Sequence, residues 1–184
     1  TSSQYAFDFQ DGWRDSTAVS NDYLGFMWRR APNFFDVVCY NGNSAAGHAV
    51  SHNLGVAPEM MWIKRRNTAI AWCVYHHGID FNGDGLPETD VAFLNSNASA
   101  QDNNTMWNDT APTATNFTLG NYTGVNNGSG KYIAYLFATL AGISKVGSYT
   151  GTGSTQTIDC GFSAGARFVM IKRTDSAGNW YVFN

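Results

Sequence analysis

The segment EMMWIKRRNTAIAWCVYHH, from Glu59 to His77, decides the fold, because two apolar runs in it flank a polar turn. In the first run Met61 and Ile63 fall on one face, while Trp62 and Lys64 fall on the other. A period of two is the pattern of a β-strand with different surroundings on its two sides. The stretch NTAI interrupts this pattern, and a second apolar run follows it. The segment therefore predicts a β-hairpin.

Nearly the same segment occurs again at Arg167 to Asn184, as RFVMIKRTDSAGNWYVFN. The offset that sets Ile63 over Ile171 also sets Trp72 over Trp180. The second turn, TDSAGN, is rich in Asp, Gly and Asn, which suit tight turns. Self-similarity at a fixed offset indicates a repeated structural unit, so the sequence predicts an internal duplication of this hairpin.

The composition predicts an all-β fold of the β-sandwich or jelly-roll type. The chain has 184 residues, of which 15% are aromatic and 14% charged, with 19 glycines. This balance favours pleated, turn-rich structure over helices. We assign residues 1–33 to an N-terminal strand and connector, 34–140 to a first repeat domain, and 145–184 to a second, incomplete repeat. The chain is then either a fragment of a longer protein or a repeat completed by its N-terminal segment or a partner.

The charge and the apolar runs argue against two classes of partner. The net charge of -3 provides no basic field that would attract nucleic acid. The longest apolar run, Tyr132 to Leu140, is about half the length that a bilayer requires, so we expect no membrane insertion. Its aromatic residues favour a buried strand. The odd cysteine count predicts reduced, buried thiols at Cys39, Cys73 and Cys160.

The sharpest site motif is DFNGDGLPETD, from Asp80 to Asp90. Oxygen donors recur at alternate positions and Gly85 permits a sharp turn, as in EF-hand-like calcium loops. The motif predicts a Ca²⁺ ion held by Asp80, Asn82, Asp84, the Leu86 carbonyl, Glu88 and Asp90. The twelfth position is Val91 instead of the usual glutamate, so we expect modest affinity. The alternative is an acidic hairpin tip that holds no ion.

Other residues with reactive groups have structural interpretations, so we assign no catalytic residue and predict that the chain is not an enzyme. The stretch Gly161 to Gly165, GFSAG, matches a hydrolase pattern, but that chemistry needs a strand-to-helix elbow and a strand is expected here. No spacing typical of zinc sites joins the cysteines to the histidines. We interpret the histidines as hydrogen-bonded turn residues: His48, His52, His76 and His77.

Four stretches together carry a family resemblance: RRAPNFFDVVCYNGN, VSHNLGVAPEMMWIKRR, YIAYLFATLAGISKVGSYTGTG and IDCGFSAGARFVMIKRTDSAGNWYVFN. They resemble a domain that recurs in tail-fibre and appendage proteins of tailed phages, notably marine cyanophages. The similarity runs from about Tyr23 to the end and excludes Gly78 to Asp90. It implies an all-β virion module that is assembled in the host cytoplasm, and a second repeat that continues further than in this sequence.

From this resemblance we expect a structural module of a tail fibre or appendage that displays a host-surface glycan-binding face. Other virion subunits and further copies of the chain, three or more, are the expected partners, since copy number strengthens weak contacts. One alternative is a secreted calcium-dependent carbohydrate-binding module or carbohydrate-active enzyme, and another is a capsid decoration or purely architectural protein. The ligand-binding residues are unknown, and the candidates for stacking on sugars are Trp13, Trp28, Trp107 and Tyr122.

Overall fold

A computed structural model describes the backbone of residues 5–9 and 12–15 and the whole of residues 26–184. Its twelve strands are β1 (Tyr5–Phe9), β2 (Gly12–Asp15), β3 (Phe35–Asn41), β4 (His48–Ser51), β5 (Met60–Arg65), β6 (Cys73–His76), β7 (Asp90–Phe93), β8 (Gln101–Asp102), β9 (Asn116–Leu119), β10 (Lys131–Phe137), β11 (Val169–Lys172) and β12 (Trp180–Phe183). One 3₁₀ turn, Pro87–Thr89, precedes β7.

The all-β prediction is confirmed: the described residues form antiparallel sheets without an α-helix, as expected of a β-sandwich. The main sheet has six strands in the order β3-β10-β5-β6-β7-β8. The predicted strand after Lys131 is β10, which lies between β3 and β5. Within the part of the chain that the structure describes, no helix is long and apolar enough to cross a membrane.

The main sheet is buried on both faces, because its strands alternate between two hydrophobic clusters. On β5, Met61 and Ile63 belong to the first core and Trp62 belongs to the second. β10 alternates in the same way, with Leu136 in the first core and Phe137 in the second. The two faces predicted for the first hairpin are therefore confirmed, and the main sheet forms the central layer.

Short elements cover the two faces of the main sheet. The β4–β9 pair covers the first core with Val50 and Phe117, which are both buried. The second core is covered by residues 26–34 and by the β11–β12 hairpin, through the partly buried side chains of Met170 and Trp180. The second hairpin therefore packs against the same sheet that contains the first one.

The β11–β12 hairpin repeats the register of the β5–β6 hairpin. Ile63 lies opposite Cys73, and at the same offset Ile171 lies opposite Tyr181. The lysine after each isoleucine donates from Nζ to the carbonyl of the next arginine, at 2.9 Å in the first hairpin and 2.6 Å in the second. Equal registers are what a duplicated hairpin would have. The duplication of a whole domain and the domain boundaries stay predictions.

The cysteine predictions are met in part. The three thiols are free, and Cys73 is buried in the first core. The expectation of burial is wrong for Cys39, which is exposed, and for Cys160, which is partly exposed. Cys39 lies on the edge strand β3, on the same face as Phe35 and Val37. Those two residues pack against the second core, but the core does not extend as far as Cys39.

Replacing Gly120 with alanine is expected to destabilise the fold by about 1–3 kcal/mol, the usual cost of overpacking a tight site. A Cβ at this position would collide with the backbone carbonyl of Thr105. The backbone cannot move away easily, since Gly120 N–H donates to the Met106 carbonyl at 2.8 Å and Asn126 donates to the Gly120 carbonyl. Chemical denaturation measures the effect. Gly151→Ala is the control, because its Cβ would meet nothing within 4 Å.

Candidate functional site

The acidic loop between β6 and β7 is folded around its own side-chain oxygens. Asp80 accepts a hydrogen bond from the N–H of Gly85 at 3.2 Å, and Asp84 accepts one from the N–H of Leu86 at 2.8 Å. Asn82 Oδ1 accepts from the Asp84 N–H at 3.2 Å. The φ of +75° at Gly85 gives the tight turn that these bonds require. The side-chain oxygens of Asp80, Asn82 and Asp84 therefore stabilise the turn by accepting backbone N–H groups of the same exposed loop.

Asp90 begins β7 at the base of this loop and is fully buried. Its Oδ2 accepts from the N–H of Phe81 at 2.7 Å, and its Oδ1 has no hydrogen-bond partner. The indole Nε1 of Trp107 donates to the Asp90 carbonyl at 2.7 Å. Burial raises the pKa of Asp90, and the negative charges of Asp84, Asp102 and Asp80 raise it further. The Asp90 carboxylate thus lies near like charges, and no lysine or arginine of the described residues forms an ion pair with it.

Asp102 is a member of this cluster that the sequence motif does not contain. It lies on β8, directly opposite Asp90 on β7. The side-chain amide of Asn82 donates to Asp84 Oδ2 at 2.9 Å and to Asp102 Oδ2 at 3.2 Å, and so bridges the two carboxylates. No local pattern could have identified Asp102, because the pairing of β7 with the two-residue strand β8 brings it to the loop.

Leu86 and Glu88 have other contacts. The Leu86 carbonyl accepts from the N–H of Thr89 at 3.0 Å and from its hydroxyl at 2.8 Å, which closes the 3₁₀ turn. Burial raises the pKa of Tyr75 to about 12, and the nearby negative charge of Glu88 contributes to this shift. Among the described residues no three acidic, histidine or cysteine side chains are already arranged as a metal site. The calcium site therefore stays a prediction.

A shallow groove lies where the β7–β8 loop meets the turn of the second hairpin. Its volume is about 550 Å³, and its lining is Leu94, Asn95, Ser96, Asn97, Asn179 and Trp180. The two walls are tied together, since Gly178 N–H donates to the Asn97 carbonyl at 2.8 Å and Trp180 Nε1 donates to the Phe93 carbonyl at 3.0 Å. Both contacts end on backbone carbonyls, so they leave the side-chain amides of Asn97 and Asn179 available for a ligand.

The groove has the donor and acceptor groups that recognise hydroxylated ligands. Each asparagine amide offers two donors and one acceptor, and a tryptophan contributes a flat apolar surface. The matched positions of Trp72 and Trp180 predicted packing, and both indoles do pack against the second core. Trp180 also lines the groove, which the sequence did not indicate. Docking of β11–β12 onto the main sheet creates this second role.

The aromatic residues proposed for sugar stacking have structural roles where they are described. Trp107 is 1% exposed in the first core, and Tyr122 is partly buried against it. Trp28 packs edge-on against Trp62 in the second core. The side chain of Trp13 lies outside the described residues. The candidate stacking surface is therefore Trp180.

All four histidines were predicted to be hydrogen-bonded turn residues, and the side chains of three of them contact backbone or amide groups. His52 Nε2 lies 3.1 Å from the Thr113 carbonyl, and His76 Nδ1 accepts from the N–H of Gly78 at 2.9 Å. His48 Nδ1 lies 3.1 Å from Asn126 Oδ1. The serine of the GFSAG stretch lies on an exposed irregular segment, and no helix follows it. These positions provide no acid–base pair around a nucleophile.

Comparison with known proteins identifies the family of this chain. A family model described as "Domain of unknown function (DUF7483)" matches residues 12–184. Neither the curated proteins nor the solved structures include a significant match to the chain.

Proposed function

The chain belongs to the DUF7483 family, and from this premise we propose that it is a structural module of a phage tail fibre or appendage that binds host-surface glycan in the groove beside Trp180. The family description assigns no activity, so the proposal depends on the groove and on the sequence resemblance to phage appendage domains. The observation that carries it is the combination of asparagine amides and one indole in a shallow depression on an all-β scaffold.

Loops carried on a rigid sheet are a common arrangement for recognition, and the groove has this form. Sugars present hydroxyl groups that pair with side-chain amides, while their apolar faces stack on aromatic rings. The groove is open and shallow, which predicts weak binding by a single chain. In a virion appendage several copies would bind one cell surface at the same time, and multivalency would raise the overall affinity.

The lining supports binding over hydrolysis. A glycosidase needs two carboxyl groups on either side of the scissile bond. The lining residues of the groove include asparagine and serine but neither aspartate nor glutamate. A carbohydrate-active enzyme would therefore need another site.

The groove predicts that Asn179→Ala and Asn97→Ala each weaken binding of a host lipopolysaccharide or capsular glycan about tenfold, since a lost hydrogen bond costs about 1–1.5 kcal/mol. A glycan panel on immobilised protein identifies the ligand, and calorimetry measures the variants. Asn121→Ala is the matched control, because Asn121 is exposed and does not line the groove.

Two results would contradict the proposal. If the panel gives no ligand even for a multivalent display of the protein, the recognition role is wrong. If a ligand is found whose affinity the two groove variants leave unchanged, the groove is the wrong site. Mass spectrometry of purified phage particles tests the virion role separately, because a structural module must be present in the particle in stoichiometric amounts.

A further inference from the structure

We propose that the acidic loop and the β7–β8 hairpin together form a Ca²⁺ site whose ligands are Asp80, Asn82, Asp84, Asp90 and Asp102. The site differs from the sequence motif in that Asp102, from another strand, replaces Leu86 and Glu88. It does not depend on the glycan groove or on a virion role.

The buried carboxylate of Asp90 is the first argument. Asp90 is 0% exposed, and its Oδ1 lacks any hydrogen-bond partner although Oδ2 is bonded to the Phe81 N–H. A buried acceptor without a donor is unfavourable, and more so when it is charged. The Phe81 N–H that bonds Oδ2 belongs to the acidic loop, and Asp102 lies directly opposite Asp90, so the Asp90 carboxylate lies between the loop and β8. A cation at that position would satisfy the unpaired oxygen.

The second argument is the unfavourable charge pattern. Asp90 and Asp102 lie directly opposite each other on adjacent antiparallel strands, where like charges destabilise the pair. Among the described residues, the ion pairs within 4 Å are Arg30 with Asp36 and Arg173 with Asp175, and neither involves the cluster. Among the described residues, none of the four carboxylates of the proposed site is paired with a lysine or arginine. A divalent cation removes this repulsion and joins the loop to the sheet.

The ligand chemistry selects calcium among the common metals. The cluster offers carboxylate and amide oxygens only, whereas zinc sites use histidine and cysteine. Ca²⁺ accepts six to eight oxygens in irregular geometry, while Mg²⁺ requires a small octahedron. Asn82 donates from Nδ2 to Asp84 and Asp102 and accepts from the Asp84 N–H through Oδ1, so turning Oδ1 to the ion would exchange these bonds for coordination. Binding of Ca²⁺ would replace the Asn82 amide as the group that joins Asp84 to Asp102.

The site is tested by thermal unfolding of chelator-treated protein with Ca²⁺ or Mg²⁺ added. We expect Ca²⁺ to raise the Tm by several degrees and Mg²⁺ to have a smaller effect, because ligands that bind only the folded state stabilise it. Tb³⁺ is a second probe. Trp107 contacts Asp90, so excitation of its indole should sensitise Tb³⁺ luminescence that Ca²⁺ then quenches by competition.

Asp102→Asn and Asp84→Asn are the informative variants, since each substitution removes a charge and preserves the shape of the side chain. Asp84 lies in an exposed loop, so its substitution should not disturb packing. Each should weaken Ca²⁺ binding at least tenfold. In chelator the same variants should be as stable as the parent or more so, because they remove repulsion. This inversion separates a metal ligand from a structural residue. Asp159→Asn, an exposed aspartate on another loop, is the control and should behave like the parent.

The proposal is overturned if millimolar Ca²⁺ changes neither the Tm nor the Tb³⁺ signal. It is also overturned if Ca²⁺ stabilises the parent and the Asp102 and Asp84 variants equally, since the ion would then bind elsewhere. If Ca²⁺ binding depends on Asp84 but not on Asp102, the proposed set of five ligands is wrong and the loop acts without β8.

Discussion

Asp36→Ala is expected to lower the free energy of unfolding by about 2–3 kcal/mol, because two backbone N–H groups lose their acceptor. Asp36 is 1% exposed on the first strand of the main sheet. Its carboxylate pairs with Arg30 and accepts from the N–H groups of Val37 at 2.9 Å and Asn53 at 2.8 Å. Alanine would leave both N–H groups without an acceptor and would release the turn that precedes Leu54.

Denaturant titration of the purified variants measures this effect. Asp175→Ala is a matched control, because it removes the other ion pair of the described residues, Arg173–Asp175, in which both side chains are more than half exposed. An exposed ion pair is screened by water and contributes little, so the control should hardly change stability. Asp36→Asn keeps an acceptor and should fall between the two. Equal effects for Asp36→Ala and Asp175→Ala would mean that the buried carboxylate does not anchor the turn.

Acidification from pH 6.5 to pH 4 is expected to remove roughly 3 kcal/mol of stability through His76. Burial, then the neighbouring His77, lowers the pKa of His76 to about 4, while Glu59 opposes the shift. The unfolded chain therefore takes up a proton below pH 6.5 that the folded chain accepts only near pH 4. The contribution of neutral His76 is complete above pH 6.5 and falls through this window.

The difference between the parent and His76→Gln, measured by denaturation at a series of pH values, isolates this contribution. Glutamine can still accept from the Gly78 N–H but does not titrate, so the variant should lose less stability on acidification. His77→Gln should reduce the loss only in part, because burial is the larger cause of the shift. Parallel pH profiles for the parent and His76→Gln would show that His76 is not held neutral by the fold.

The sequence was sufficient for features that depend on neighbouring residues. The alternation of Met61, Trp62 and Ile63 predicted both the strand and the two faces that it buries. The turn residues between the apolar runs predicted two hairpins, and β5–β6 and β11–β12 lie there. The sharp turn predicted at Gly85 is also local, and it is closed by the hydrogen bond from the Gly85 N–H to Asp80.

Features that depend on distant strands could not be predicted. Cys39 was expected to be buried, but its exposure depends on how far residues from elsewhere in the chain cover the edge strand. Trp180 was assigned to packing alone, because nothing in its own segment indicates that the β7–β8 loop lies beside it. Glu88 was chosen as a ligand by spacing, yet the 3₁₀ turn places it near Tyr75.

The sequence by itself therefore determined the strands, their turns and the residues on each face, because these follow from a backbone period of two and from local turn chemistry. Only the tertiary structure decided which strands become neighbours. It placed β10 between β3 and β5, brought Asp102 opposite Asp90, and set the second hairpin against the first sheet. Such pairings result from burying two faces of one sheet at once, which no short segment encodes.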